Sequence, residues 1–542
     1  MNAQTPGTAA TEHLDAVVVG AGFSGLYMLH RLKRAGYAVR LFEAGSSVGG
    51  TWYHNRYPGA RCDIESMDYS YSFDNDLQQE WSWSERYASQ PELLRYLNHI
   101  ADRYRLRPHI QLNTSVTGAQ FDDVTATWTV TTDTGAAVSA RWCVMATGCL
   151  CVAQVPALPG LDSFAGQWFH SGDWPRDGAD FTGKRVGVIG TGSSGTQIIP
   201  LVAEQAKHLH VFQRTANFCV PAQNRALGSE EEAAWKAEYP ERRARALASK
   251  RGNSQPQNDT CYDDLTPDER TAELEARWRA GGLFMMGAFK DLLTNPEANE
   301  AAAEFVRAKI RRIVDDPRVA EMLTPRGFHL GTKRLCSVTN YYQTFNRRNV
   351  TLVDVKSAPI EEITPTGLRT AAGNYELDVL VFATGFDAMT GSLSRMDIRG
   401  QGGKTLAEKW AGGPRTYLGL FTSGFPNLFL LNGAGSPSVF SNMVTSAEQH
   451  VEWVVHLLEY ATKHGIGRVE ATTEAENSWS AEVRATAAAT LYQRSPNSWY
   501  FGANTPGKPR VFMPYVGGFA NYLARTREIA THDYRGLALS AR

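Results

Sequence analysis

Two stretches of this chain carry glycines at a spacing suited to holding a pyrophosphate. Gly20, Gly22 and Gly25 form one G-x-G-x-x-G turn, and Gly190, Gly192 and Gly195 form another. The first glycine of such a turn makes a tight bend, the second lets the backbone approach a phosphate, and the third lets strand and helix pack. The phosphates then meet the free N–H groups and the positive dipole end of the helix. The two turns differ where a ribose would lie. Glu43 stands 23 positions after Gly20, and its carboxylate can accept from both ribose hydroxyls, which suits FAD or NAD. The same offset from Gly190 falls on Gln213, with Arg214 next. No acid stands there, and a guanidinium can grip a 2′-phosphate with two N–H groups. The first turn is therefore expected to hold the adenosine of FAD, and the second NADPH.

Each turn needs a strand before it and a helix after it. Ala16 to Val19 is an apolar run of the kind buried in a parallel sheet. A helix is predicted from about Leu26 to Ala35 with Gly36 as its stop, then a strand over Val39 to Phe42. The unit recurs, with a strand over Arg185 to Ile189, the second turn, a helix and a strand over His210 to Phe212. Two further apolar strands run into Ala-Thr-Gly, one at Cys143–Gly148 and one within Val379–Asp387, as short returns between two nucleotide domains would. Another strand is expected over Val350–Val353. From about 226 to 331 Glu, Arg and Ala dominate, and Val306, Ile310, Ile313 and Val314 share one helical face, so a helical insertion is predicted. The C-terminal part is rich in Gly, Pro and aromatics, which favours loops that carry sites. The fold class is α/β, with two dinucleotide-binding, Rossmann-like domains and a helical insertion. The expected division is 1–150 and 385–542 for the FAD domain, 151–225 and 332–384 for the NADPH domain, and 226–331 for the insertion.

The 542 residues are too many for a single core. With 43% hydrophobic and 20% charged residues the composition is that of an ordinary globular protein. A net charge of −1 gives no general attraction for nucleic acid or an anionic membrane, so neither is expected as a partner. Residues 1–12 contain no Lys or Arg and lack the pattern of a secretion signal, and no apolar run is long enough to span a bilayer, so a cytoplasmic location is expected. The seven cysteines are scattered and include no CxxC pair, which argues against a zinc cage or a thioredoxin-type centre; no metal site is expected. Cys149 and Cys151 read as small packed residues.

Phe164 to Pro175 reads FAGQWFHSGDWP. It matches F-x-G-x-x-x-H-x-x-x-W-P through Phe164, Gly166, His170, Trp174 and Pro175. Upstream, GGTWYHNRYPGARCD carries Gly50, Trp52, Tyr57, Pro58, Gly59 and Asp63. With the two glycine turns in the right order, the chain resembles the Baeyer–Villiger monooxygenase family over nearly its whole length. RYPGARCDIES, RYASQPE, GVIGTGSSG, GTKRL, GFPNLF and PGKPRVFM are similar above all to its phenylacetone-oxidising members. Flavin-dependent N- and S-oxygenases share the turns but lack the Trp-Pro ending. The missing CxxC disfavours a disulfide reductase of the same architecture. A non-enzymatic NADPH sensor is disfavoured by the retained Arg334 and Asp63.

The resemblance implies a ketone and O2 as substrates, NADPH as hydride donor, a flavin C4a-peroxide as oxygen carrier and an ester or lactone as product. It assigns Arg334 of GTKRL to the negative oxygen and Asp63 to positioning that arginine. An arginine suits the task because its pKa exceeds ~12. Lys333 joins Arg214 on the 2′-phosphate, and Trp499 closes over the nicotinamide ribose. Cofactor contacts also fall on Trp52, Asp63, Tyr69, Val116 and Met443 for the flavin, and on Thr191, Gly192, Ser193, Ser194, Gln197 and Thr215 for NADPH. His170 links domain movement to cofactor use. The loop Ser436–Met443 implies a pocket for aryl or bulky ketones, near Cys149, Leu150 and Phe440. Phe440 and Cys149 stand where phenylacetone-oxidising members have Leu and Gln. Sulfide oxidation is an expected side activity.

Overall fold

The computed structural model describes residues 12–495 and 497–541. Strands β1 Glu12–Val19, β2 Val39–Phe42, β3 Ile110–Gln111, β4 Val116–Asp122, β5 Thr127–Thr132 and β6 Ala137–Met145 come first. Next come β7 Gln167–His170, β8 Arg185–Ile189, β9 His208–Gln213 and the short β10 Cys219–Pro221. After a long helical stretch the chain returns to sheet with β11 Cys336–Val338, β12 Val350–Asp354 and a meander of β13 Ile360–Thr364, β14 Gly367–Thr370 and β15 Gly373–Glu376. Strands β16 Val379–Phe382, β17 Asp397–Arg399 and β18 Leu428–Leu430 follow.

Two sheets carry the two glycine turns. The first runs β17-β4-β5-β6-β1-β2-β3, with β18 also beside β6. Its β1 is parallel to both β2 and β6, and Ala16, Val17 and Val18 are completely buried, as an apolar run in a covered parallel sheet must be. The second sheet, β12-β9-β8-β16-β7, is parallel throughout. The two Ala-Thr-Gly segments leave interior strands of these sheets, after β6 and after β16.

The first helix runs from Phe23 to Arg34, one turn earlier than periodicity alone placed it, because Gly22 serves as its N-cap. It buries Leu26, Tyr27, Met28, Leu29 and Leu32, each contributing about 1.5–3 kcal/mol of burial free energy. Gly36 ends it at φ +83, a conformation that favours glycine. Strands β1 and β9 extend to Glu12 and to His208–Gln213, beyond their apolar centres. The predicted insertion contains helices at 229–237, 239–248, 267–280, 296–313 and 317–323. On the fourth, Val306 and Ile310 are completely buried, Ile313 is only half-buried, and Val314 lies just past the helix end. The C-terminal part is not all loop: a 21-residue helix, Met443–Lys463, packs against the first one. No helix among the described residues is long and apolar enough to cross a membrane.

Candidate active site

The first glycine turn is closed by backbone. A methyl group on Gly20 (φ +101) would stand 2.6 Å from the Ala146 carbonyl oxygen, and one on Gly25 would lie 1.8 Å from the Gly20 oxygen. Gly50, at φ +53, presses against Gly22, which brings the upstream signature onto the turn. Both oxygens of Glu43 accept backbone N–H groups, from Ala21 and from Gly45, at 2.7 Å each. Each carboxylate oxygen keeps further acceptor capacity for a ribose hydroxyl. Thr114 N–H donates to the Glu43 carbonyl, and the nearby Val116 is buried on the other face of the sheet with Val19 and Phe42. Trp52 and Tyr69 meet edge to face at 6.0 Å, and the buried Trp52 Nε1 has no partner among the described residues. The helix N-terminus itself has no side-chain cap. Uncapped N–H groups, a carboxylate at the ribose position and an unpaired buried donor fit FAD.

The second turn repeats the geometry with a more open front. Gly190 and Gly195 are blocked by the carbonyls of Ala383 and Gly190 at 2.4 and 2.2 Å, whereas a methyl on Gly192 would meet nothing within 4 Å. The helix Ser193–Gln205 also starts without a side-chain cap. Thr191 Oγ1 donates to the Thr215 carbonyl at 3.1 Å, joining the turn to the end of β9. Gln213 is held through its amide to the Met322 carbonyl at 2.7 Å, leaving its buried Oε1 unpartnered among the described residues. Arg214 is exposed beside it. Lys333 lies 4.5 Å over the Phe328 ring, and burial, with Arg214 close by, pulls its pKa down. Two cations repelling one another beside an open turn fit a 2′-phosphate. Ser193 and Ser194 sit in the first turn of this helix, and Gln197 reaches the upstream signature: it accepts from Tyr57 Oη at 2.9 Å and donates to the Arg61 carbonyl at 3.1 Å.

Arg334 and Asp63, 271 positions apart in sequence, form a two-pronged ion pair. Nε donates to Oδ2 at 2.9 Å and Nη2 to Oδ1 at 2.7 Å, while Nη1 donates to the Val439 carbonyl at 2.8 Å. At least one N–H on Nη1 stays uncommitted. Burial opposes the charge on Arg334, but Asp63 outweighs it and holds the guanidinium above its ordinary pKa. Asn217 also binds here, its Nδ2 donating to the Arg334 carbonyl at 3.1 Å.

A satellite core adjoins this pair. It contains Cys149, Met389, Val439, Tyr492, Tyr500 and Phe512, with Leu150, Phe440, Met443 and Trp499 half-buried at its edge. Phe440 lies among these rings, with ring centres 4.5 Å from Tyr500 and 4.9 Å from Tyr492. Trp499 packs on Tyr500 at 4.3 Å. Burial pushes the Cys149 thiol up to about 11, so it is a neutral wall group. The structure clusters the sequence-selected Cys149, Leu150 and Phe440, with Tyr492, Tyr500 and Phe512 packed beside them. These three were missed because loop residues show no periodicity that marks a buried face.

The fingerprint segment lies away from the ion pair, along β7 and the loop after it. Phe164 and Trp174 are buried, Pro175 is half-buried, and a methyl on Gly166 would strike the Asp378 carbonyl at 2.4 Å. His170 ends β7. Its Nδ1 accepts the Gly172 N–H at 2.9 Å, its buried Nε2 has no partner among the described residues, and burial lowers its pKa. Phe386 meets His170 edge to face at 5.9 Å. That places His170 under the two chain crossings between the sheets, which are themselves tied together: Gln154 N–H donates to the Gly385 carbonyl at 2.9 Å and Thr384 Oγ1 to the Gln154 carbonyl at 2.6 Å.

Two nucleotide turns on separate sheets, with a half-buried arginine and an aromatic cluster between them, define a two-dinucleotide flavoprotein oxygenase. Residues 15–226 match the family model described as flavin-binding monooxygenase-like. A phenazine N-monooxygenase of Lysobacter antibioticus is 43% identical, over 97% of this chain and 97% of that protein. A Baeyer–Villiger monooxygenase of Pseudooceanicola batsensis is 42% identical, over 99% and 98%. A solved steroid monooxygenase with NADP bound is 51% identical, covering 98% of this chain and 100% of that one at a TM-score of 0.94. The chain belongs to the Baeyer–Villiger monooxygenase family.

Proposed function

We propose that the enzyme inserts one oxygen atom of O2 beside the carbonyl of aryl or bulky, including cyclic, ketones, giving esters or lactones with NADPH as reductant. The observation that carries this reading is the Arg334–Asp63 pair set against the aromatic pocket. Bound FAD and NADPH supply the activated oxygen and the hydride. Arg334 then meets the negative charge that develops on the former carbonyl oxygen, using the Nη1 hydrogen that neither Asp63 nor Val439 takes. Asp63 keeps the guanidinium from rotating, so little reorganisation is needed as charge appears. Phe440, Tyr492, Tyr500 and Phe512 offer an apolar wall that keeps water off the reacting carbon. Arg214 and Lys333 hold the 2′-phosphate, Glu43 the FAD ribose, and Trp499 the nicotinamide side of the cleft.

Residues 1–150 and 385–542 are assigned to the FAD domain, 151–225 and 332–384 to the NADPH domain, and 226–331 to the insertion. The sheet membership of β17 and β18 with β1–β6, and of β12 and β16 with β7–β9, supports this division. The cysteines among the described residues are free thiols, which supports a reducing compartment such as the cytoplasm.

Purified holoenzyme with NADPH and ¹⁸O2 is tested on phenylacetone, a cyclic ketone and a steroid ketone. An ester or lactone carrying one heavy oxygen is expected. A second reading, N-oxygenation, rests on the Lysobacter relative, and phenazine goes into the same assay. A labelled N-oxide with no labelled ester from any ketone would replace the first reading by the second.

A further inference from the structure

The scattered cysteines contain one spatial pair. Cys219 and Cys336 lie 117 positions apart in sequence, yet they are register partners on the parallel strands β10 and β11. Register partners sit about 4.8 Å apart at Cα and point to the same face, and a disulfide accepts Cα separations of about 4.4–6.8 Å. Both thiols are buried and free.

Cys336 is also wired into the site. Its sulfur accepts from Asn217 Nδ2 at 3.1 Å, lies 3.5 Å from Ser193 Oγ at the start of the NADPH-side helix, and contacts the Arg334 carbonyl at 3.7 Å. The Cys219 thiol, donating towards it, lowers the Cys336 pKa, while burial and the same neighbour raise that of Cys219. The surroundings of Cys336 thus favour ionisation more than those of Cys219, the asymmetry of an attacking and a resolving cysteine.

We propose that Cys219 and Cys336 form a peroxide-oxidised disulfide that weakens NADPH binding. This rests on the monooxygenase reading only for the source of the oxidant: turnover without oxygen insertion returns O2 as hydrogen peroxide. The Cys336 thiolate attacks one peroxide oxygen, the O–O bond breaks, hydroxide leaves, and a sulfenic acid forms. The Cys219 sulfur then displaces the sulfenic oxygen as water. In sum, two thiols and one hydrogen peroxide give one disulfide and two waters. Bridging redirects the Cys336 sulfur away from Asn217 and Ser193. It therefore loosens both the first turn of the Ser193–Gln205 helix and the strand that follows Arg334.

The test uses FAD-loaded enzyme treated with hydrogen peroxide, alkylated under denaturing conditions and digested without reductant. A linked peptide pair containing Cys219 and Cys336, a mass loss of two hydrogens per chain and reversal by dithiothreitol are expected. The dissociation constant for NADP+ rises roughly three- to tenfold in the oxidised protein, as loss of one hydrogen bond implies. Cys219→Ala gives no linked peptide under the same treatment. Peroxide-treated enzyme with both thiols still alkylatable, or linked enzyme whose NADP+ affinity is unchanged or is not restored by dithiothreitol, overturns the proposal. Because the oxidant is added, neither readout depends on any ketone being turned over.

Discussion

At the scale of single residues, Arg334 and Asp63 divide one task. The arginine supplies a charge that does not titrate, and the carboxylate supplies its direction. A donor aimed at developing charge in a site shielded from water contributes about 3–4 kcal/mol. Arg334→Ala is therefore expected to lower kcat/KM for ester formation by roughly 10²–10³-fold. NADPH oxidation should continue, now ending in hydrogen peroxide, and the ratio of ester to NADPH consumed measures the difference. Arg334→Lys should rescue little, because an ammonium cannot hold both Asp63 oxygens and the Val439 carbonyl in one plane. Recovery of most activity by the lysine would show that only charge is needed. Phe440 sets size rather than charge. It touches three other aromatic rings, so Phe440→Ala opens space among them. KM for a steroid ketone should fall relative to that for phenylacetone; an unchanged ratio would remove Phe440 from the pocket wall.

At the scale of elements, the two strand–turn–helix units were legible because each has a buried apolar strand and three glycines within a short stretch, and the first also has its helix stop at Gly36. The pairing of Arg334 with Asp63, the aromatic pocket and the Cys219–Cys336 register were not written in any local pattern. They arise where β10 and β11 meet, where Asp63 meets Arg334 across 271 positions and where C-terminal loops close on each other. The resemblance selected Arg334, Asp63, Cys149 and Phe440, but it offered no signal for Tyr492, Tyr500 or Phe512. The helix Met443–Lys463 was also overlooked, since the Gly- and Pro-rich flanks dominated that part of the chain. The second turn gives a discriminating test. A methyl on Gly192 meets no protein atom within 4 Å, and the residue has ordinary negative φ, so Gly192→Ala should leave the melting temperature of the NADP-free protein unchanged. The same methyl points into the space a pyrophosphate needs, so NADP+ affinity should fall by on the order of tenfold or more. Gly190→Ala, at φ +108 and 2.4 Å from a carbonyl, should instead destabilise the fold. Equal effects of the two substitutions on NADP+ affinity and on melting would contradict this division.

At the scale of the whole molecule, the core is closed over several neutral histidines, and this decides how the enzyme tolerates acid. Burial drives His450 down to about 3 and, with nearby cations for His30 and with His208 for His210, drives those two to about 4. His450 is fully buried, with Nδ1 accepting the Asn432 N–H at 3.0 Å and Nε2 3.0 Å from Tyr522 Oη, so it ties Met443–Lys463 to the Phe519–Thr531 helix. The folded pKa of each lies below the unfolded value of 6.5. Above pH 6.5 both states are neutral and nothing is lost. Below it the unfolded chain takes up protons that the folded chain excludes, so stability falls with falling pH until the folded pKa is reached. The fully buried His450 costs about 1.4 kcal/mol per pH unit in that window, roughly 2 kcal/mol between pH 6.5 and 5, and solvent screening makes the share of the half-buried His210 smaller. Flavin release followed by fluorescence should therefore move to markedly lower temperature from pH 7 to pH 5. His450→Gln should flatten that profile, whereas substitution of the exposed His456 should leave it unchanged. A release temperature constant between pH 7 and 5 would mean that these histidines are not held neutral by the fold.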